Sequence, residues 1–146
     1  MSDRSPDEES RSEEGAVIRP AQPEDLPAVM ALLRPFMEAQ QLLMRTQDEV
    51  ASLLEHGFVA ESSGQVVGFA AVEVYSRKMA EIQCLAVRPQ QRRQGLGRQL
   101  ILRCVERARE LGVQEVMAIT ASESLFMSCG FHYSLPGQKK ALFITP

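Results

Sequence analysis

The segment Ala80–Leu111 constrains the fold more than any other part of the chain, because it joins an apolar strand pattern to an amphipathic helix through a basic glycine turn. Ala80–Val87 is rich in apolar residues and is stopped by Pro89, which reads as a strand. Arg92-Arg93-Gln94-Gly95-Leu96-Gly97 follows, with a helix opening near Arg98. Leu100, Ile101, Cys104, Val105, Ala108 and Leu111 then recur at helical spacing, and Gly112 is the natural stop. The start of a helix leaves N–H groups without partners and carries partial positive charge. Glycines let backbone approach a phosphate there, and arginines add charge-assisted contacts. The alternative is a solvated basic turn in which glycine serves only tight geometry. A P-loop would need G-x-x-x-x-G-K-[ST], and a dinucleotide fingerprint would need a third glycine and a later acid; the segment has neither.

The flanking sequence supplies the remaining elements. Val17-Ile18-Arg19 is a short strand stopped by Pro20, and Pro23-Glu24-Asp25 opens a helix that Pro35 is expected to kink or end. Thr46-Gln47-Asp48-Glu49 has the spacing of a capping box, starting a helix that closes near His56-Gly57. Phe58–Ser62 and Val66–Val74 flank a three-residue turn, Ser63-Gly64-Gln65, suited to a hairpin. Val113–Thr120 reads as a strand and Ser122–Cys129 as a short helix stopped by Gly130. Phe131–Ser134 and Ala141–Thr145 read as closing strands. The order β-α-α-β-β-β-α-β-α-β-β predicts an α/β (α+β) fold with a mixed, mostly antiparallel sheet flanked by helices.

Charge separates the chain into two parts. Residues 1–15 hold six acids against two arginines, whereas the whole chain carries −3, so residues 16–146 are near neutral. Residues 1–15 have one large apolar residue, Met1, and are expected to form a disordered acidic tail; residues 16–146 are expected to form one domain. A near-neutral domain with two Tyr, six Phe and no Trp argues against a nucleic-acid partner. Cys84, Cys104 and Cys129 show no metal-like spacing, so no metal and no disulfide framework is expected. With no signal peptide and no apolar run near about 18 residues, the expectation is a cytoplasmic protein without a membrane partner.

The segment AEIQCLAVRPQQRRQGLGRQL, together with the element order, resembles the GNAT superfamily of acyl-CoA N-acyltransferases over roughly residues 17–145. More narrowly, AEIQCLAV, VMAIT, the FMSCGF run and the LPGQKKALF tail are similar to the acetyltransferase domain of N-acetylglutamate synthases. The resemblance implies acetyl-CoA as cofactor. Its pantetheine arm would pair with backbone at Leu85, Ala86 and Val87, and its pyrophosphate would lie at Arg92, Arg93, Gln94, Gly95, Leu96, Gly97 and Arg98. Leu85 and Val87 also suit plain core positions.

Acetyl transfer needs a neutral amine and a protonated leaving thiolate. The resemblance places the general base at Glu81, near the start of a buried strand, where a carboxylate can take a proton directly or through water. Many relatives carry a tyrosine acid four residues before the Gly-Phe pair; here that residue is Phe126. Thr120 matches a hydroxyl residue that takes this part in N-acetylglutamate synthases, though its hydroxyl also suits the strand end or the cap of the next helix. Ser122 and Tyr133 are fallbacks, and a ping-pong scheme through Cys129 or Cys84 with His132 lacks an evident third residue.

The expected partner is a small-molecule amine, with the α-amine of glutamate first in line. Arg45 resembles a substrate-binding arginine of that group, and Arg77 and Lys78 flank the Glu81 strand where a substrate rim is expected. Lys139 and Lys140 repeat a basic pair of the family tail. A protein or peptide amine, or a non-catalytic acyl-CoA sensor, are the competing readings. Homodimerisation is carried as an expectation.

Overall fold

The computed structural model describes residues 15–133 and 142–146. The expected acidic tail (apart from Gly15) and Lys139 and Lys140 lie outside the described residues. The elements run β1 (Val17–Pro20), α1 (Leu26–Glu38), α2 (Gln47–Leu53), β2 (Gly57–Ser62), β3 (Gln65–Val74), β4 (Met79–Val87), α3 (Leu96–Glu110), β5 (Glu115–Met117) and α4 (Glu123–Ser128). Short 3₁₀ turns at Pro23–Asp25, Leu54–His56 and Pro89–Gln91 lead into or out of them. The five strands form one sheet in sequence order, antiparallel from β1 to β4 and parallel between β4 and β5.

Two cores sandwich the sheet. On one face Val29, Leu32, Leu33 and Met37 of α1 and Val50 and Leu53 of α2 pack on Val59, Phe69, Ala71, Cys84 and Ala86. On the other, Leu100, Ile101, Cys104 and Ala108 of α3 pack with Phe126 of α4 on Phe58, Ala70, Val72, Ala80 and Ile82. The alternation of β3 between these two sets is the period-2 pattern of a strand buried on both faces. Arg19 ties β1 to both neighbours: its Nε donates to Glu61 at 2.6 Å, and its two terminal nitrogens donate to the Asp25 carboxylate, each at 2.8 Å.

Several local expectations meet tertiary corrections. The helix predicted to bend at Pro35 continues to Glu38, because the proline sits in the last turn and Met37 beyond it is anchored in the core. The Thr46 capping box forms, with Glu49 N–H donating to Thr46 Oγ1 and Thr46 N–H to Glu49 Oε1, both at 3.2 Å. The hairpin turn is shorter than expected: Ser62 pairs with Gln65, and Ser63 and Gly64 both take positive φ (51° and 75°), the pattern that matches strand twist in a two-residue loop. The strand expected over Val113–Thr120 is confined to Glu115–Met117. Phe131–Tyr133 and residues 142–146 carry no strand, and Ser134 and Ala141 lie outside the described residues. Phe131 is held to α4 instead, its N–H donating to Phe126 O at 3.2 Å and its ring meeting Phe126 edge-on at 5.2 Å. Among the described residues no helix is long and apolar enough to cross a membrane.

Leu100 is fully buried between α3 and the sheet. Leu100→Ala is expected to lower stability by about 3 kcal/mol, read as a shift of the urea midpoint at constant slope. A second expectation concerns acid. The bond from Arg19 holds the Asp25 carboxyl below its ordinary value, so its contribution is complete above the unfolded value and is lost as pH falls. Wild type should therefore lose stability relative to Asp25→Asn as pH drops below about 4 in chemical unfolding.

Candidate active site

One extra residue in β4 creates the site. Between the pairs Ala71↔Gln83 and Phe69↔Ala86, β3 advances two residues and β4 three. The bulge places Cys84 at φ 59°, in the left-handed region. Such an insertion leaves consecutive residues on one face: Gln83 bonds groups on the α1 side, and Cys84 joins the α1 core. The bulge lies beyond the point where β4 and β5 stop pairing. Their ladder covers only Met79↔Glu115, Ala80↔Val116 and Glu81↔Met117. Among the described residues, the β5 side of β4 is unladdered from Ile82 to Val87.

Beyond this unladdered stretch the chain passes through the glycine turn to the N-terminus of α3. Gly95 is the N-cap residue at φ 74°, and no side-chain hydrogen bond caps the helix. Arg93 also takes φ 74°, so the turn contains two left-handed residues ahead of the helix N–H groups. Arg92 and Arg93 are exposed, whereas Leu96 is buried against Ala60 and Val67. The second glycine has a packing reason: a Cβ on Gly97 would stand 3.1 Å from Leu125 Cδ2. Arg98 is turned to α4, donating to the Ser128 carbonyl at 2.5 Å. A free strand edge leading to an uncapped helix start with two exposed arginines suits an amide-bearing arm that ends in phosphates. The residues therefore fit acetyl-CoA.

Glu81 stands on the last β4–β5 rung, opposite Glu73 on β3. Three residues that the sequence reading passed over surround it. Tyr75 donates its hydroxyl to Glu81 Oε1 at 2.8 Å and lies 3.2 Å from Glu73 Oε2. Gln83 Nε2 donates to Glu73 Oε2 at 2.9 Å and to Tyr75 Oη at 3.3 Å, while Gln83 Oε1 accepts from Arg45 at 2.7 Å. Burial of the hydroxyl, its bond to Glu81 and the two carboxylate charges push the Tyr75 phenol up to about 12. A signal for Gln83 existed: it is a polar residue two positions after Glu81 in an otherwise apolar strand. Glu73 and Tyr75 become neighbours only through the β3–β4 register.

The other sequence candidates are placed as follows. Arg45 is half-buried and spans Gln83 and Glu49, the latter at 3.7 Å. Arg77 and Lys78 are exposed in the β3–β4 turn, where their carbonyls accept the N–H groups of Gln114 and Glu115 at 2.9 and 3.0 Å. Thr120 lies beyond β5 rather than at its end, and its Oγ1 accepts Ser122 N–H at 2.8 Å. Tyr133 donates to Glu123, and Phe126 is a core residue. Burial pushes the Cys84 thiol up to about 11, which leaves little thiolate near neutral pH. His132 Nδ1 is 2.9 Å from the Tyr133 carbonyl, while the sulfur of Cys129 lies 3.9 Å from Ser128 Oγ. The Cys–His scheme thus finds no hydrogen-bonded pair among the described residues.

Known proteins share both the sequence and the fold. The amino-acid acetyltransferase of Aeromonas salmonicida (strain A449) is 29% identical over 131 residues, which is 86% of this chain and 30% of that protein. The chain thus spans less than a third of the length of that curated relative. Rv2747 from Mycobacterium tuberculosis, solved in complex with CoA, superposes with a TM-score of 0.76 at 28% identity, covering 86% of this chain and 76% of its own. N-acetylglutamate synthase from Neisseria gonorrhoeae, complexed with coenzyme A and N-acetyl-glutamate, gives a TM-score of 0.70 at 29% identity, covering 77% of this chain and 27% of that one. The model of the acetyltransferase (GNAT) family matches residues 26–133, from α1 through β5 and α4 to Tyr133. With its split β4–β5 ladder and glycine-turn helix start, the chain belongs to the GNAT acetyltransferase family.

Proposed function

We propose that this chain transfers an acetyl group directly from acetyl-CoA to the α-amine of an amino acid, glutamate being the first acceptor to test, with Glu81 as general base. The observation that carries the reading is the position of Glu81 on the last β4–β5 rung, where the unladdered stretch of β4 begins. The names of the relatives support the acceptor class: one is an amino-acid acetyltransferase and another was solved with N-acetyl-glutamate.

Acetyl-CoA supplies the acetyl group as a thioester, activated toward an amine. Leu85 and Val87, on either side of Ala86, would offer backbone donors and acceptors to the pantetheine amides, while the backbone of Ala86 faces Phe69 on β3. Arg92, Arg93 and the N–H groups from Gln94 to Gly97 hold the pyrophosphate, and Arg98 supports them through its bond to α4. Glu81 removes the amine proton. Thr120 accepts a backbone N–H, which leaves its own hydroxyl proton to donate toward the leaving sulfur. Arg45 presents its guanidinium beside Gln83 for an acceptor carboxylate, and Arg77 and Lys78 form the outer basic rim. The burial of Phe126, where the usual tyrosine acid would stand, favours one rival: a module that binds acyl-CoA without turnover.

Thiol release with glutamate, with a panel of other amino acids, polyamines and peptides alongside, tests the reaction. Glu81→Gln is expected to lower kcat by about 100-fold or more while acetyl-CoA binding by calorimetry is retained. A mutant rate equal to wild type removes Glu81 as base, and tight cofactor binding without release for any amine supports the sensor. Replacing Arg92 and Arg93 together by Ala should weaken acetyl-CoA about tenfold or more and flatten the dependence of Kd on salt.

A further inference from the structure

An ammonium acceptor sets a proton-counting problem. Converting R–NH3⁺ to an amide removes two protons from nitrogen. One ends on the released thiol and the other must reach solvent, yet a single carboxylate holds only one proton at a time. Glu81 is followed in space by a hydroxyl and a second carboxylate, all within hydrogen-bond reach.

We infer that Tyr75 and Glu73 form the route by which the proton taken up by Glu81 leaves the site. The inference rests on the reading of Glu81 as base. In the step, an N–H bond of the acceptor breaks and its proton forms an O–H bond on Glu81. Tyr75 then passes its own proton to Glu73 Oε2, 3.2 Å away, and takes the Glu81 proton onto its oxygen across 2.8 Å. Tyrosine is neutral again, Glu81 is a carboxylate again, one proton has moved to Glu73, and no electrons change hands.

Three features support the route. Gln83 is buried, and its Nε2 donates to both Glu73 and Tyr75, so the two relay oxygens are held at fixed separation. Its other end is anchored by Arg45, so the hub cannot swing away without breaking a charge-assisted bond. Glu73 also lines a cavity of about 420 Å³ whose lining includes neither Glu81 nor Tyr75. There it faces Arg45, Glu49, Glu55 and His56 from α2, the segment before it and the turn after it, together with Ser52. Tyr75 itself is 54% exposed, yet its phenol is held in the protonated form that a relay needs.

Tyr75 and Glu73 are positioning and relay residues that act through Glu81, so the test must separate proton transfer from simple support. Tyr75→Phe and Glu73→Gln are made in the full chain, with folding checked by circular dichroism and thermal melting. Steady-state rates are measured in mixtures of H₂O and D₂O with the best acceptor. The expected result is kcat lower by about ten- to hundred-fold at unchanged KM for acetyl-CoA. The curved proton inventory of wild type should become linear in both variants. A Tyr75→Phe enzyme with wild-type kcat overturns the relay, as does one whose kcat falls while its inventory keeps the wild-type curvature. Glu81→Gln run in parallel separates the two levels. Full activity in that variant sinks the base reading, whereas an inactive Glu81→Gln beside an unaffected Tyr75→Phe sinks only the relay.

Discussion

The architecture hangs on one inserted residue in the middle of β4. A non-glycine residue in the left-handed region costs about 1–2 kcal/mol, and Cys84 adopts it in a strand buried on both faces. The surrounding pairings keep it there: β3 is laddered to β4 on both sides of the bulge, and the α1 core closes over Cys84 and Ala86. The β4–β5 ladder stops after three rungs, just before the bulge, and the glycine turn then leads into the start of α3.

The polar side of the site obeys the opposite constraint. A buried amide in an apolar sheet is costly unless its hydrogen-bonding groups are met, and a network in a low-dielectric setting is stable only when complete. Gln83 meets that condition through Arg45 on one end and Glu73 and Tyr75 on the other. Among the described residues, no buried side-chain nitrogen or oxygen lacks a partner. The same network keeps two directly opposed carboxylates, Glu73 and Glu81, at adjacent positions. Like charges placed so would ordinarily weaken a sheet, and the tyrosine hydroxyl between them with the amide beside it offsets that repulsion. The atoms that satisfy this buried amide are thus the ones on which the proposed acid–base chemistry would draw.

The glycine turn shows how a motif divides its labour once it is folded. Its first glycine is required by backbone geometry and its second by the approach of α4, while Leu96 between them belongs to the core. Only the backbone N–H groups and the two exposed arginines remain for a ligand. A short pattern such as R-x-x-G-x-G thus carries three kinds of constraint together, and the letters alone do not separate them.

Local physics made much of this readable from the chain. The Thr46 capping box, the α3 stripe from Leu100 to Ala108, the glycine stops and the β4 pattern depend on neighbours within a few residues, so periodicity and capping rules reach them. The glycine turn was legible for the same reason, since strand, turn and helix are contiguous, whereas Glu81 was singled out through the resemblance to acetyltransferase domains. The sequence alone did not determine β5's length, the two-residue Ser63-Gly64 turn, the structure after Gly130 or the neighbours of Glu81. Those depend on register and on a bulge whose extra residue has no local signature. Glu73, Tyr75 and Gln83 meet Glu81 because β3 and β4 pair with Glu73 opposite Glu81. A single-residue slip would send these side chains to the other face. The chain's own letters determined most of the elements and the glycine turn; tertiary pairing alone decided which polar groups surround Glu81.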